Sequence, residues 1–127
     1  MAPRPVFVQL LDGQAIRIFK SNKAAFHSGL PLAAHHFDKN GIAQMDRASA
    51  VSQIRRSTFE RDLYECQRCH QKVSWATGHL DEVIPRGKGG EVSVENTQVL
   101  CAGCHVWGKD AKHSDRRPRF GENAAQV

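Results

Sequence analysis

The stretch Cys66-Gln-Arg-Cys69, followed by Gly78-His79-Leu80-Asp81-Glu82-Val83-Ile84-Pro85-Arg86-Gly87-Lys88-Gly89-Gly90, Glu95-Asn96 and Cys101-Ala-Gly-Cys104-His105, decides how this chain folds. All 4 cysteines lie in it, as two pairs of identical Cys-x-x-Cys spacing. Two residues between thiolates make a tight knuckle that aims both sulfurs at one cation, and a second knuckle completes the tetrahedron that zinc prefers. Four sulfur ligands close such a site and make it structural. A redox pair or unrelated buried thiols are the competing readings, but two matched pairs with no cysteine left over argue against both. Cys66, Cys69, Cys101 and Cys104 are therefore expected to hold one zinc ion.

Outward from this centre, 127 residues with 40% hydrophobic and 7% aromatic content suffice for one small domain and a short appendage. Such a core is thin, and metal binding of about 10–16 kcal/mol compensates for this in small modules. No stretch approaches the roughly 20 apolar residues that span a bilayer, and the early apolar run breaks at Asp12-Gly13. The expectation is a soluble, intracellular, cytoplasmic protein in which thiols stay reduced. A formal charge of +5 and a pI near 9.3 suit nucleic acid without proving it, because four zinc-bound thiolates would lower the net charge. Lys109, Lys112, Arg116, Arg117 and Arg119, interrupted by Asp110 and Asp115, make one end distinctly basic.

From the start, Val6 to Leu11 and Gln14 to Phe19 are β-rich and separated by Asp12-Gly13, a hairpin signal in which both turn residues tolerate positive φ. Their apolar residues do not alternate cleanly, so neither face is marked as the buried one. Ser21 is a cap for a short helix over Asn22 to His27, ended by Gly29 and Pro31. His27, His35 and His36 have no partnering motif. Leu30 to Met45 reads as a linker. Asp46 then caps a helix from Arg47 to about Asp62, with Ala50, Val51, Ile54, Thr58 and Leu63 approximating an apolar stripe, and Arg47, Arg55, Arg56 and Arg61 facing either phosphate or solvent. Val73 to Pro85 is expected to form both strands of a hairpin, Arg86 to Gly90 a flexible loop, and a helix to start near Ala102. The loop glycines lack the Lys-Ser/Thr ending of a nucleotide-binding P-loop, which excludes that reading. The organisation expected is a hairpin-helix appendage and linker over 1–45, the zinc-stapled domain over 46–119, and a flexible tail over 120–127.

From about Arg55 to Lys109 the motifs resemble the zinc-stapled HNH endonucleases, with their Asp-His-Ile/Val-x-Pro-x-x-x-Gly-Gly and Asn-Leu-x-x-Leu-Cys-x-x-Cys-His segments. The resemblance implies an α+β fold, a small ββα-metal domain stapled by the four-cysteine zinc site. It also implies that Asp81 and His105 bind one divalent cation, magnesium or manganese, distinct from the zinc. Asn96 matches the middle residue of the family name and would orient the loop and the general base. Lys109, one helical turn after His105, suits a phosphate contact, because a protonated amine cannot coordinate a cation. Arg86, Lys88, Lys112, Arg116 and Arg117 are further candidate phosphate contacts on DNA.

One residue departs from the family. Glu82 stands where most members have the His that activates water; an imidazole of pKa about 6.5 is the better base at neutral pH than a carboxylate of about 4.3. Three readings follow: Glu82 is the base, Glu82 is a metal ligand with His79 as base, or cleavage has been lost. The first is preferred here. The implied function is hydrolysis of DNA phosphodiester bonds; the competing classes are a DNA-binding module that has lost catalysis and a zinc-knuckle protein-interaction domain.

Overall fold

In the computed structural model, residues 5–33 and 39–105 are described. Asp12 and Gly13 both take positive φ, 52° and 82°, so the expected turn forms and joins β1 (Pro5–Leu11) to β2 (Gln14–Ile18). The pairing shifts register between Gln9 and Leu10. Such an irregularity turns side chains from one face to the other, which is why no clean alternation is visible in these residues. Ser21 caps α1 (Asn22–Phe26) by accepting from the Ala24 N–H.

Residues 30–45 were expected to be a linker, and this is corrected. Gly41–Asp46 is a strand, β3, that pairs antiparallel with β1 along its whole length. Its partner lies far back in the sequence, so no local signal announced it. Gly41 allows the strand to begin here: its φ is 114°, and a Cβ would lie 2.5 Å from the Pro31 carbonyl oxygen. Asp46 ends β3 and caps α2 (Arg47–Arg61), accepting from the Ser49 N–H.

α2 buries Ala50 and Ile54 against Val8, Ala15 and Ile18 of the hairpin and against Val92. Val92 belongs to β5 (Val92–Ser93), which pairs with β2 and completes a sheet of order β3-β1-β2-β5. The first hairpin therefore shares a sheet and a core with a segment that lies between the two knuckles. Leu63, expected on the stripe, is instead 70% exposed, because the helix ends before it and the chain reverses through Leu63 and Tyr64 at positive φ.

The hairpin expected within Val73 to Pro85 is also corrected. β4 (Gly78–Glu82) pairs antiparallel with β6 (Thr97–Cys101), so the second strand comes after the loop rather than before it. Residues 83–96 form that loop, which carries β5 and, over Arg86–Lys88 where a flexible loop was expected, a 3-10 turn. Residues 102–105 are helical, as expected. The fold is mixed α+β, with the four cysteines close together. Among the described residues no helix is long and apolar enough to cross a membrane.

Candidate active site and metal centre

The cysteines converge because each pair closes on itself. The Cys69 N–H lies 3.5 Å from the Cys66 sulfur, and the Cys104 N–H lies 3.4 Å from the Cys101 sulfur. The first knuckle is shaped by Cys66 N–H to Gln71 and His70 N–H to Cys66 bonds, with His70 at positive φ, and is tied to β6 by the Gln67 N–H on the Val99 carbonyl. All four sulfurs lie within 4.8 Å of one another, and Cys69 and Cys101 are 3.7 Å apart. A tetrahedron of sulfurs about 2.3 Å from a central zinc has edges of about 3.8 Å, so the spacing fits that ion.

Electrostatics agree. Burial raises the Cys66 thiol, but the backbone N–H groups of Cys69, Cys101 and Arg68 outweigh it and bring its pKa to about 7. Burial, with the neighbouring sulfurs of Cys101, Cys66 and Cys69, pushes Cys104 far above its usual range. The Cys66 thiolate forms readily, and at Cys104 a bound cation would offset the cost of the charge. The four cysteines are positioned to hold a metal ion.

Next to the cysteines, along the same ribbon, a second cluster forms. Strand alternation puts His79 and Asp81 on one face of β4. Asp81 is 1% exposed, pairs across the ribbon with Gln98, and accepts from the Gln98 amide at 3.2 Å. His105, carried in by the helical turn that follows Cys104, brings its Nε2 to 3.5 Å from Asp81 Oδ1. Its Nδ1 lies 2.9 Å from Nδ1 of His79, and the two rings meet edge to face. Two donors bound to one cation at about 2.1 Å lie about 3.0–3.5 Å apart, so the Asp81 and His105 atoms are spaced for a shared ion. Gln98 was not anticipated from the sequence; its only signal is that it falls opposite Asp81 once the register is known.

Glu82 is the last residue of β4 and pairs across the ribbon with Thr97. Its carboxylate is 3.6 Å from Arg86 Nε, four residues along the loop, and its side chain is partly exposed. The loop is closed by Asn96. The Asn96 side chain accepts from the Ile84 N–H at 2.9 Å and donates to the Ile84 and Glu91 carbonyls at 2.9 and 2.8 Å. Gly90 lies under the same clip, where a Cβ would meet the Ile84 oxygen at 1.7 Å. Lys88 is exposed at the end of the 3-10 turn.

α2 braces this end from behind. Thr58 and Thr97 share a buried hydroxyl contact of 2.8 Å, Arg61 donates to the Val94 and Thr97 carbonyls, and Asp62 accepts from the Val99 N–H. Arg61, a candidate for phosphate or solvent from sequence, is thus half-buried against the loop. Lys109, Lys112, Arg116 and Arg117 lie outside the described residues, as do His35 and His36.

Residues 66–111 match the family model described as HNH endonuclease, in agreement with the motifs and with this geometry. A 45-residue segment is 36% identical to Anaredoxin of Nostoc sp. (strain PCC 7120 / SAG 25.82 / UTEX 2576), covering 35% of this chain and 57% of that protein. The chain thus spans less than two thirds of that relative. No solved structure matches. The HNH match points to a nuclease or nucleic-acid-binding function for this part of the chain.

Proposed function

We propose that the protein is a metal-dependent endonuclease that hydrolyses DNA phosphodiester bonds, with a structural zinc on Cys66, Cys69, Cys101 and Cys104. The observation that carries this reading is the buried Asp81 carboxylate facing His105 at 3.5 Å, on the ribbon that also carries Cys101. Asp81 and His105 would hold a magnesium or manganese ion, which when bound would supply neutralisation of the charge that develops on the phosphate and on the leaving oxygen. Gln98 keeps the Asp81 carboxylate turned toward His105.

Glu82 takes a proton from water, whose oxygen attacks phosphorus as the bond to the 3′ oxygen breaks. Its partly exposed position at the open end of β4 gives water access. Asn96 positions the loop that carries Arg86 and Lys88, and these two, with Lys109, Lys112, Arg116 and Arg117, contact phosphates. Arg86 has a second part in this scheme: exchanging the Glu82 carboxylate for a phosphate frees the base when substrate arrives. Metal-bound thiolates suit a reducing, cytoplasmic compartment.

Two observations favour alternatives. His79 lies against His105 at 2.9 Å, on the same face of β4 as Asp81, which suits His79 as the base. The ion pair of Glu82 with Arg86 also suits a DNA-binding module in which cleavage has been lost. A protein-interaction knuckle is the remaining class.

Nicking of supercoiled plasmid with and without magnesium or manganese separates them. For the proposed reading, Glu82→Gln lowers nicking by about a hundredfold with DNA affinity nearly unchanged, and Glu82→His retains or raises it. A Glu82→Gln protein that cuts as well as the wild type, together with a His79→Ala protein that does not, moves the role to His79. A wild type that binds DNA and never nicks it leaves the binding module. One that binds no DNA leaves the interaction domain.

A further inference from the structure

Along one flank of α2, Arg47, Ala48, Val51, Ser52, Arg55 and Trp75 line an open cleft of about 510 Å³. Trp75 is 40% exposed. Arg55 fixes it in place. The Arg55 guanidinium lies 4.1 Å from the Trp75 ring and 4.6 Å from the Phe59 ring, capping two rings whose centroids are themselves 5.1 Å apart. Its Nη2 donates to the backbone carbonyls of Trp75 and Gly78. Arg55 Nε is buried without a hydrogen-bond partner among the described residues. Neither Arg47 nor Arg55 has a carboxylate partner among the described residues, and the nearby Asp46 is engaged by Ser49.

The result is a fixed guanidinium without a carboxylate partner, lying over an indole that is still partly open to solvent. Core packing explains the covered part of Trp75 and the Phe59 contact. It does not explain two guanidinium groups without carboxylate partners around the exposed part. A cationic rim and an open aromatic surface together match a nucleotide whose base is free to stack, the base supplying the π-face and the phosphate the charge. Stacked duplex offers no such base in its interior.

We propose that this cleft is a second nucleic-acid contact, which takes an unstacked nucleotide with its base on Trp75 and its phosphate on Arg47 and Ser52. The endonuclease would thereby favour DNA with a single-stranded or distorted segment over uniform duplex. This rests on the reading of DNA as substrate, while the contact itself needs no catalysis.

The test uses the zinc-loaded full chain without added magnesium or manganese. Of the 2 tryptophans, Trp107 is replaced by Phe so that emission reports Trp75 alone. Single-stranded oligothymidylate should quench that emission saturably, whereas duplex of equal length should not. Trp75→Ala should weaken single-strand binding by roughly tenfold, the lower part of the range for one stacked base, and Trp75→Phe should recover most of the loss. Arg47→Glu should weaken it as well.

Several results overturn the inference: single-strand binding with unchanged Trp75 emission, equal affinity in Trp75→Ala, equal quenching by duplex, or equal quenching by inorganic phosphate or a polyglutamate peptide. Plasmid nicking by the same preparation, once magnesium or manganese is added, keeps the two readings apart. Nicking without a Trp75 response removes the cleft alone, and a Trp75 response without nicking removes the endonuclease reading alone.

Discussion

The two ends of the β4–β6 ribbon are held in opposite ways. At the Gly78–Cys101 end the donors come in local pairs, three residues apart, and each knuckle closes through its own N–H to sulfur contact. At the Glu82–Thr97 end the chemical groups are supported from a distance: Asn96 clips the loop, Thr58 and Arg61 reach in from α2, and Gln98 holds Asp81 across the strands. A chelated end depends on one ion. A hydrogen-bonded end divides its stability among many contacts, so single changes there should cost less and should leave the chelated end intact.

The largest expected effect therefore comes from the thiol end. Removing the metal with a chelator, or making Cys101→Ser, should remove about 10 kcal/mol of coupled binding and folding energy. Hydrogen exchange at Val99 and Leu100 should rise toward that of an open chain. One tightly held zinc per chain is expected before treatment, and a ribbon that keeps its protection after losing the metal would break the contrast.

At the loop end, Gly90→Ala forces a Cβ into the Ile84 carbonyl and should open the loop outright, and Asn96→Ala removes three side-chain bonds of about 1 kcal/mol each, or about 3 kcal/mol by urea unfolding. Both should leave zinc content unchanged; loss of zinc in Asn96→Ala would show that the ends are not independent. Thr58→Val, which leaves the Thr97 hydroxyl with its bond to the Ser93 carbonyl, should cost about 1 kcal/mol.

The smallest effect lies outside the ribbon, at the cap of α2. The bonds from the Ser49 side chain and backbone hold the Asp46 carboxyl below its ordinary value of 3.8. A depressed carboxyl stabilises the fold above that ordinary value and loses the contribution as pH falls through the lower, folded one. Wild type should thus lose a small part of its thermal stability below about pH 3.8, a loss that Asp46→Ala should not show.

The same contrast governs what could be read in the sequence. The cysteine pairs, the Asp12-Gly13 turn, the Ser21 cap and the Asp46 cap were legible because each is a short-range device whose chemistry is complete within a few residues. β3 was not, because Gly41–Asp46 acquires its identity from β1. Nor was the partner of β4: the motif suggested a strand near Asp81, but Thr97–Cys101 became its mate only when a long loop closed under Asn96. Among the site residues, Asp81, His105 and His79 do come together, while the Glu82 ion pair with Arg86 and the Gln98 contact depend on where the chain turns. The arginines of α2 looked alike in sequence. Tertiary contacts separate Arg61, which braces the loop, from Arg55, which stacks on Trp75.

The pairing of β2 with the two-residue β5 has a consequence for dissecting the protein. A fragment beginning at Asp46 would retain every cysteine and every candidate catalytic residue. It would also strip the cover from Ala50, Ile54 and Val92 and leave β5 with the unpaired backbone groups that Arg17 and Ile18 now satisfy. Bare strand edges beside exposed apolar side chains recruit other copies of the same chain. Such a fragment is expected to bind its metal and still aggregate, so the segment that carries the chemistry is smaller than the segment that keeps it in solution.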